Sequence, residues 1–344
     1  MYKYSITPRL LKLIKEIHAS AIRLKANRPN QVVLLSLENE ALSLSSYSST
    51  SIEGNPLPLT EVRKILKTRP SEIRNTEREI RQYNDILIQL NKAVLEEAFE
   101  LTEKAIVQTH KTLMKDLLPK VKLGSFRKEA VVVNDPKSRK AIFYPPDYAD
   151  VKKHMSDLLR FIKAEKSNLD PLILAGLFHK QFVLIHPFID GNGRLVRLLT
   201  KTLLAEFGLN IFSLFSFESY YNKNITTYFK KVGERGDYYD IIKKVDFTEW
   251  LEYFCEGVLD ELLRVEKILQ QKKISTPSDT LSSEQNKILI YLSDHEFIRD
   301  VDYAKLTARA KATRALDFKK LIQLNYIEKK GKGPATYYRL RIKS

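Results

Sequence analysis

The chain has 344 residues, 43% hydrophobic and 29% charged, with a formal net charge of +16. This is an ordinary composition for a globular protein with room for two or three domains. No apolar run is long enough for a membrane helix, the start Met-Tyr-Lys-Tyr-Ser-Ile-Thr-Pro has no signal-peptide pattern, and the single cysteine, Cys255, cannot form an internal disulfide. A cytoplasmic protein without a membrane partner is therefore expected, with Cys255 buried and inert in an apolar helical stretch.

Apolar spacing and only 11 glycines predict a mainly α protein. Leu10, Leu11, Leu13, Ile14 and Ile17 form one helical face. Gln31 to Leu44 reads as helix and leads into the Ser-rich stretch Ser43–Ser51. Pro56 and Pro58 break the chain, and Thr60 is placed to cap a helix carrying Val62, Ile65 and Leu66. Glu77–Ala98 is a long helical pattern, and Thr102 caps another with Ile106, His110, Leu113 and Leu117. Ala130–Val133, the turn Asn134–Ser138 and Ala141–Tyr144 read as strand, turn and strand. Helix resumes at Tyr148–Lys163 and continues through Phe207, around Asn222–Val232 and over Phe247–Gln271. Lys272–Leu281, containing Ser, Thr, Pro and Asp, reads as a linker. Three helices then follow (Glu284–Ser293, Tyr303–Ala308, Thr313–Leu324), with a strand, basic turn and strand over Tyr326–Leu340, the pattern of a winged helix-turn-helix. Residues 271–344 carry 16 Lys and Arg against 8 Asp and Glu, a local excess that suits nucleic acid or an acidic partner. The domains expected are an N-terminal helical region (1–84), a core (85–271), the linker (272–281) and the winged helix (282–344).

One dodecamer concentrates the chemistry: His-Pro-Phe-Ile-Asp-Gly-Asn-Gly-Arg-Leu-Val-Arg at 186–197. Apolar runs on both sides read as helices, which makes the dodecamer a loop entering a helix N-terminus. Outward backbone N–H groups and the helix dipole favour an anion there. A histidine, a carboxylate and two arginines beside that anion suggest a triphosphate with its divalent metal. Taken singly, each residue has a duller role: His186 structural, Asp190 a helix cap, Arg194 and Arg197 a solvated face, the glycines a turn. Their joint occurrence favours the phosphate site.

The dodecamer resembles the signature of the Fic family, His-x-Phe-x-Asp/Glu-Gly-Asn-Gly-Arg-x-x-Arg, at every fixed position. The resemblance extends to Leu101–His110, Gly124–Arg127, Tyr228 and Trp250–Gly257, about residues 85 to 265. It implies a helical bundle with a small hairpin, the flap, and transfer of AMP from ATP to a Ser, Thr or Tyr hydroxyl of a target protein. His186 would be the base, Asp190 the ligand of Mg²⁺ or Mn²⁺, and Gly191, Asn192 and Gly193 the phosphate cradle. Arg194 and Arg197 would grip the terminal phosphates, and Phe188 would anchor the loop. Val131, Val132, Val133, Ile142, Phe143 and Tyr144 would form the flap that aligns the target by strand addition. Lys137, Arg139 and Lys140 make its turn basic. Tyr228 is the adenine candidate, although the paired tyrosine of relatives is here Phe229, which leaves nucleotide identity open.

Ser49-Thr-Ser-Ile-Glu-Gly-Asn55 resembles the family's inhibitory motif, Ser/Thr-x-x-x-Glu-Gly/Asn. Ser49, Glu53, Gly54 and Asn55 would restrain the site, Glu53 by pairing with Arg197. The same stretch read plainly is a helix stop at Gly54-Asn55. Two other functions stay open: removal of AMP using Glu53, and a DNA-binding regulator whose Fic domain senses nucleotide. The C-terminal module, with Ala310–Arg314 opening its recognition helix, fits DNA and protein docking equally. A homodimer is compatible with the sequence, which does not fix the oligomeric state.

Overall fold

The computed structural model describes residues 2–26, 31–135, 138, 140–209, 214, 216–275, 281–324 and 326–340. The chain divides into two compact units, residues 1–27 with 40–266, and residues 28–39 with 267–344. No helix among the described residues is long and apolar enough to cross a membrane.

The first unit opens with α1 (Pro8–Ala26), α2 (Gln31–Ile52), α3 (Leu59–Thr68), α4 (Asn75–Leu95) and α5 (Glu103–Leu113). Two short strands follow, β1 (Val133–Asn134) and β2 (Ala141–Tyr144), then α6 (Tyr148–Glu165), α7 (Pro171–Ile185) and α8 (Asn192–Glu206). It ends with α9 (Phe217–Lys223), α10 (Ile225–Val232), β3 (Gly236–Asp237), α11 (Tyr238–Ile241) and α12 (Thr248–Ser275).

Helix α7 is apolar apart from His179, Lys180 and Gln181, and except for Val183 it is buried from Leu172 to Ile185, as expected of a helix without an exposed polar face. Asp170 caps it by accepting from Leu172 N at 2.8 Å, and Pro171 supplies its first residue. Helix α8 packs beside it, sending Leu195, Val196, Leu198, Leu199 and Leu203 into a core shared with α4, α5 and α6. The dodecamer thus joins the two innermost helices. Thr102 caps α5 as expected, accepting from Ala105 N at 3.1 Å. Cys255 is fully buried, and burial pushes its thiol pKa up, away from reactivity.

Several expectations are corrected. On α1 the buried stripe is Leu10, Ile14 and Ile17, one turn apart, while Leu11 is exposed. The helix expected to Leu44 is longer: α2 continues through the Ser-rich stretch to Ile52. Ser46 and Thr50 donate back to the carbonyls of Leu42 and Ser46 at 2.8 and 2.7 Å, and Ser45, Ser46, Ser48, Ser49 and Thr50 are all buried. Tertiary hydrogen bonding overrides a weak helix propensity here. Thr60 lies inside α3, whose cap position is Pro58. The hairpin is shorter than expected, because Val131 and Val132 precede β1. It also gains a third strand: β3 pairs in parallel with β2 at Phe143 and Tyr144, in the order β1-β2-β3. Lys137 and Arg139 lie outside the described residues, as does 276–280 of the expected linker, whose residues 272–275 belong to α12.

The second unit contains α13 (Ser283–Asp294), α14 (Asp300–Tyr303), α15 (Lys311–Gln323), and the antiparallel pair β4 (Ile327–Lys330) and β5 (Tyr337–Leu340). Ile288, Leu289, Leu292, Ile298, Tyr303, Phe318, Leu321, Tyr326 and Ile327 form its separate core. Buried Asp317 accepts from Gln285, Tyr303 and Arg309. The short helix expected over Tyr303–Ala308 lies earlier in the chain, and Tyr303 is its last residue.

Candidate functional site

The loop begins where α7 stops. His186 takes a left-handed conformation (φ 50°) and donates its N–H to Phe182 O at 3.0 Å. A non-glycine residue held at positive φ marks a position fixed by its surroundings. Phe188 is fully buried and stacks on His110 at 3.8 Å between ring centroids. Asn192 closes the turn twice: Oδ1 accepts from Phe188 N at 2.9 Å, and Nδ2 donates to Phe188 O at 2.8 Å. Its side chain therefore shapes the cradle. Gly191 has φ 82°, and any Cβ there would meet Met114 Sδ at 2.7 Å, so only glycine fits.

His186 has one clear tautomer. Nδ1 lies 3.3 Å from Val183 O, which can only accept, so the proton sits on Nδ1 and Nε2 keeps its lone pair. Burial lowers the imidazole pKa from its ordinary value of 6.5, more than the Val183 bond and the Glu53 charge raise it. A neutral imidazole with a free Nε2 is the state a general base needs near neutral pH.

Both signature arginines are buried. Arg194 Nη2 reaches Asp190 at 3.3 and 3.4 Å, and Nη1 stands 3.3 Å from Glu79 Oε1. Its Nε and Nη1 donate no hydrogen bond among the described residues. Unused donors on a buried guanidinium are unusual and mark a place where acceptor oxygens would be welcome. The Asp190 carboxylate is about half exposed, at the rim.

Arg197 is fully buried and heavily committed. Nε donates to Ser49 Oγ at 2.8 Å, Nη2 to Ser49 O and to Glu53 Oε1, each at 2.8 Å, and Nη1 to Tyr228 OH at 3.3 Å. Burial pulls its pKa down, but the charges of Glu53, Tyr228 and Tyr83 more than offset this and hold it above its usual value. The Glu53 carboxylate also lies against Gly193, where any Cβ would overlap it. An anion therefore already sits on the first turn of α8, and that anion is Glu53. Gly54 (φ 93°) ends the helix, and Asn55 Nδ2 donates to Thr76 O at 2.8 Å and Glu79 Oε2 at 2.9 Å.

These contacts belong to a longer antiparallel seam. Residues 193, 197 and 201 of α8 face residues 53, 49 and 45 of α2, one turn apart on each helix. At the far end, Lys201 Nζ donates to Ser45 Oγ at 2.5 Å and pairs with Glu218 at 3.5 Å, both charges buried. Tyr83 OH donates to Glu218 Oε1 at 3.0 Å, and Ser216 Oγ to Oε2 at 2.9 Å. Lys201 and Ser45 were not singled out in the sequence. Their spacing of four from Arg197 and Ser49 was the available signal.

Tyr228 is the adenine candidate of the sequence. It is buried, stacks on Tyr221 at 4.8 Å, and places its hydroxyl 3.1 Å from His179 Nε2 and 3.3 Å from Arg197 Nη1. Its hydroxyl thereby touches Arg197, the last arginine of the dodecamer. In the hairpin, Phe143 is buried beneath the sheet, and β3 covers the β2 edge at 143–144. β1 and β3 are then the two edges of this sheet. Two further residues hold the loop. His110 accepts from Gly124 N through Nδ1 at 3.1 Å and donates from Nε2 to Asp190 O at 3.0 Å; burial lowers its pKa to about 4. Arg127 Nε donates to His186 O at 2.9 Å.

The Fic/DOC family profile matches residues 100–204, which span α5 to α8 and the whole dodecamer. The chain carries a Fic domain. It is 34% identical over 191 residues to "Protein adenylyltransferase Fic" of Drosophila erecta, covering 54% of this chain and 36% of that one. To the protein of the same name in Drosophila grimshawi it is 34% identical over 177 residues, covering 50% and 34%. The matches thus span about a third of these relatives' length. A Fic family protein from Desulfovibrio desulfuricans G20 superposes with a TM-score of 0.64 at 21% identity, covering 100% of this chain and 99% of that one. Fic-1 (residues 134–508) from C. elegans gives 0.60 at 21%, covering 78% and 74%. The Fic domain here is helical with a small strand pair, as expected.

Proposed function

We propose that this protein transfers AMP from ATP to a hydroxyl side chain of a target protein, and that Glu53 holds the site in a restrained state. The relatives named adenylyltransferases support the chemistry. The observation that carries the restraint is the pairing of Glu53 with Arg197 over Gly193. His186 Nε2 takes the hydroxyl proton as the oxygen attacks the α-phosphate, and pyrophosphate leaves. The N–H groups at the start of α8 face the phosphates, with Arg194 and Arg197 on the β and γ oxygens. While Glu53 occupies Arg197, the terminal phosphate has no grip there, and in-line geometry is lost.

Mg²⁺ normally takes one or two carboxylates and completes its shell with phosphate oxygens and water. A single rim carboxylate, Asp190, fits that donor set, and a bound ion would supply charge neutralisation at the phosphates.

The second unit reads as a winged helix. Lys311, Lys319 and Lys320 of α15 are exposed and would meet phosphate, whereas Arg314 is folded bidentately onto Asp300. A gel shift that weakens with salt tests the DNA role.

The reaction is tested with labelled ATP, Mg²⁺ and lysate. Glu53→Gly should label itself or a target strongly, and adding His186→Ala should abolish this. Mass spectrometry locates AMP on Ser, Thr or Tyr. Equal labelling of wild type and Glu53→Gly rejects the restraint; release of AMP that depends on Glu53 would favour the reverse reaction.

A further inference from the structure

We infer that Arg127 is a positioning residue that locks the hairpin to His186, so that the strand aligning the acceptor hydroxyl and the base that deprotonates it move as one piece. The inference rests on the AMP-transfer reading above. Arg127 lies outside the signature and is 3% exposed. Its backbone N–H donates to Pro187 O at 2.9 Å, and its Nε to His186 O at 2.9 Å. Its Nη1 donates to Glu129 O at 3.2 Å, and its Nη2 to Pro146 O. Glu129 and Pro146 are the two roots of the hairpin. One guanidinium thus ties both roots to the carbonyl of the candidate base.

The physical need is plain. A hairpin whose first strand has two residues cannot hold its own position. The pairing with β3 fixes one side of β2, and Arg127 fixes the roots. His186 is past the end of α7, so its carbonyl requires a partner from outside the helix. Three carbonyls converging from three segments suit the planar fork of an arginine, which presents five donors in fixed directions. A lysine is a point donor and cannot hold all three. The contacts expected for nucleotide, on Gly191 to Arg197, are not touched by Arg127. Loosening the clamp should therefore misplace the acceptor while leaving ATP binding intact.

The test uses the full chain carrying Glu53→Gly, with Arg127→Lys or Arg127→Met added. Three quantities are read: affinity for the Mg²⁺ complex of a non-hydrolysable ATP analogue, transfer of labelled AMP onto the chain itself, and amide hydrogen exchange. Transfer should fall about a hundredfold, as an ångström of misplacement allows. Analogue affinity should stay within about twofold. Exchange should quicken at residues 141–144 and at His186 and Phe188. The clamp is overturned if transfer stays at the level of the Glu53→Gly background, or if analogue affinity falls in step with transfer. If Glu53→Gly alone labels nothing, the AMP-transfer reading fails, and exchange then decides the clamp: unchanged rates at 141–144 reject it. Should Arg127→Met not fold, the lysine variant carries the test.

Discussion

Helix α8 is held by two seams of opposite chemistry. Toward the core it offers Leu195, Val196, Leu198, Leu199 and Leu203. Toward α2 it offers Gly193, Arg197 and Lys201, met by Glu53, Ser49 and Ser45. Apolar contact is non-directional, and each side chain contributes on its own. The polar seam works by mutual satisfaction: every donor is buried, so loss of one partner strands another. An apolar seam favours permanence. A polar seam can be left whenever an alternative ligand satisfies the same groups, and on the proposed function that ligand is a triphosphate whose oxygens would replace those of Glu53 and Ser49 at Arg197.

The largest expected effect breaks the polar seam at its far end. Lys201→Met leaves the Glu218 carboxylate buried without its cation, a change that costs about 3–5 kcal/mol. Urea denaturation should show that loss, and adding Glu218→Gln should recover much of it. If the seam is as cooperative as its geometry indicates, Lys201→Met also raises AMP labelling with Glu53 intact. A stability change below about 1 kcal/mol would mean that the pair is solvated and the seam much looser.

Leu199→Ala attacks the other seam. It removes a fully buried side chain from the shared core, at about 2–5 kcal/mol. Labelling by the folded protein should not rise, because α2 keeps its partners. Equal activation by Leu199→Ala and Lys201→Met would erase the distinction between the seams. A smaller version of the polar break is Ser49→Ala. It deprives the buried Arg197 Nε of its acceptor, at about 1–3 kcal/mol, and should raise labelling less than Glu53→Gly does.

The two seams also differed in how legible they were. Leu172 to Ile185 and the leucines after Arg194 announce a buried helix pair by periodicity, and the dodecamer announces an anion-binding turn between them. Serines carry no such signal. The helical pattern carried only to Leu44, because serine competes with helical hydrogen bonding, and beyond it Arg197, Lys201 and Asn84 from other segments satisfy the serines and stabilise the helix. The burial of Tyr228 against Arg197 is equally silent in the sequence, where an aromatic at that point reads as an adenine contact. His110 and Arg127 act on backbone carbonyls, which one sequence does not display.

The smallest effect concerns His186, whose charge the polar seam influences through Glu53. Burial lowers the pKa of His186 below 6.5, while the negative charge of Glu53 pushes it back up. Removing Glu53 takes away an influence that favours the imidazolium, so the pKa of His186 must fall further. As pH drops, the base is lost when Nε2 is protonated, so the acid limb of activity in Glu53→Gly should lie below pH 6.5. Nitrogen-detected NMR titration of the His186 ring in wild type and Glu53→Gly measures the same quantity without turnover. The titration should move to lower pH in the variant. A shift to higher pH would show that α2 acts on His186 by excluding water more than by its charge. In that case release of the helix would cost the site part of its base while freeing Arg197, and activation by Glu53→Gly would be greatest above neutrality.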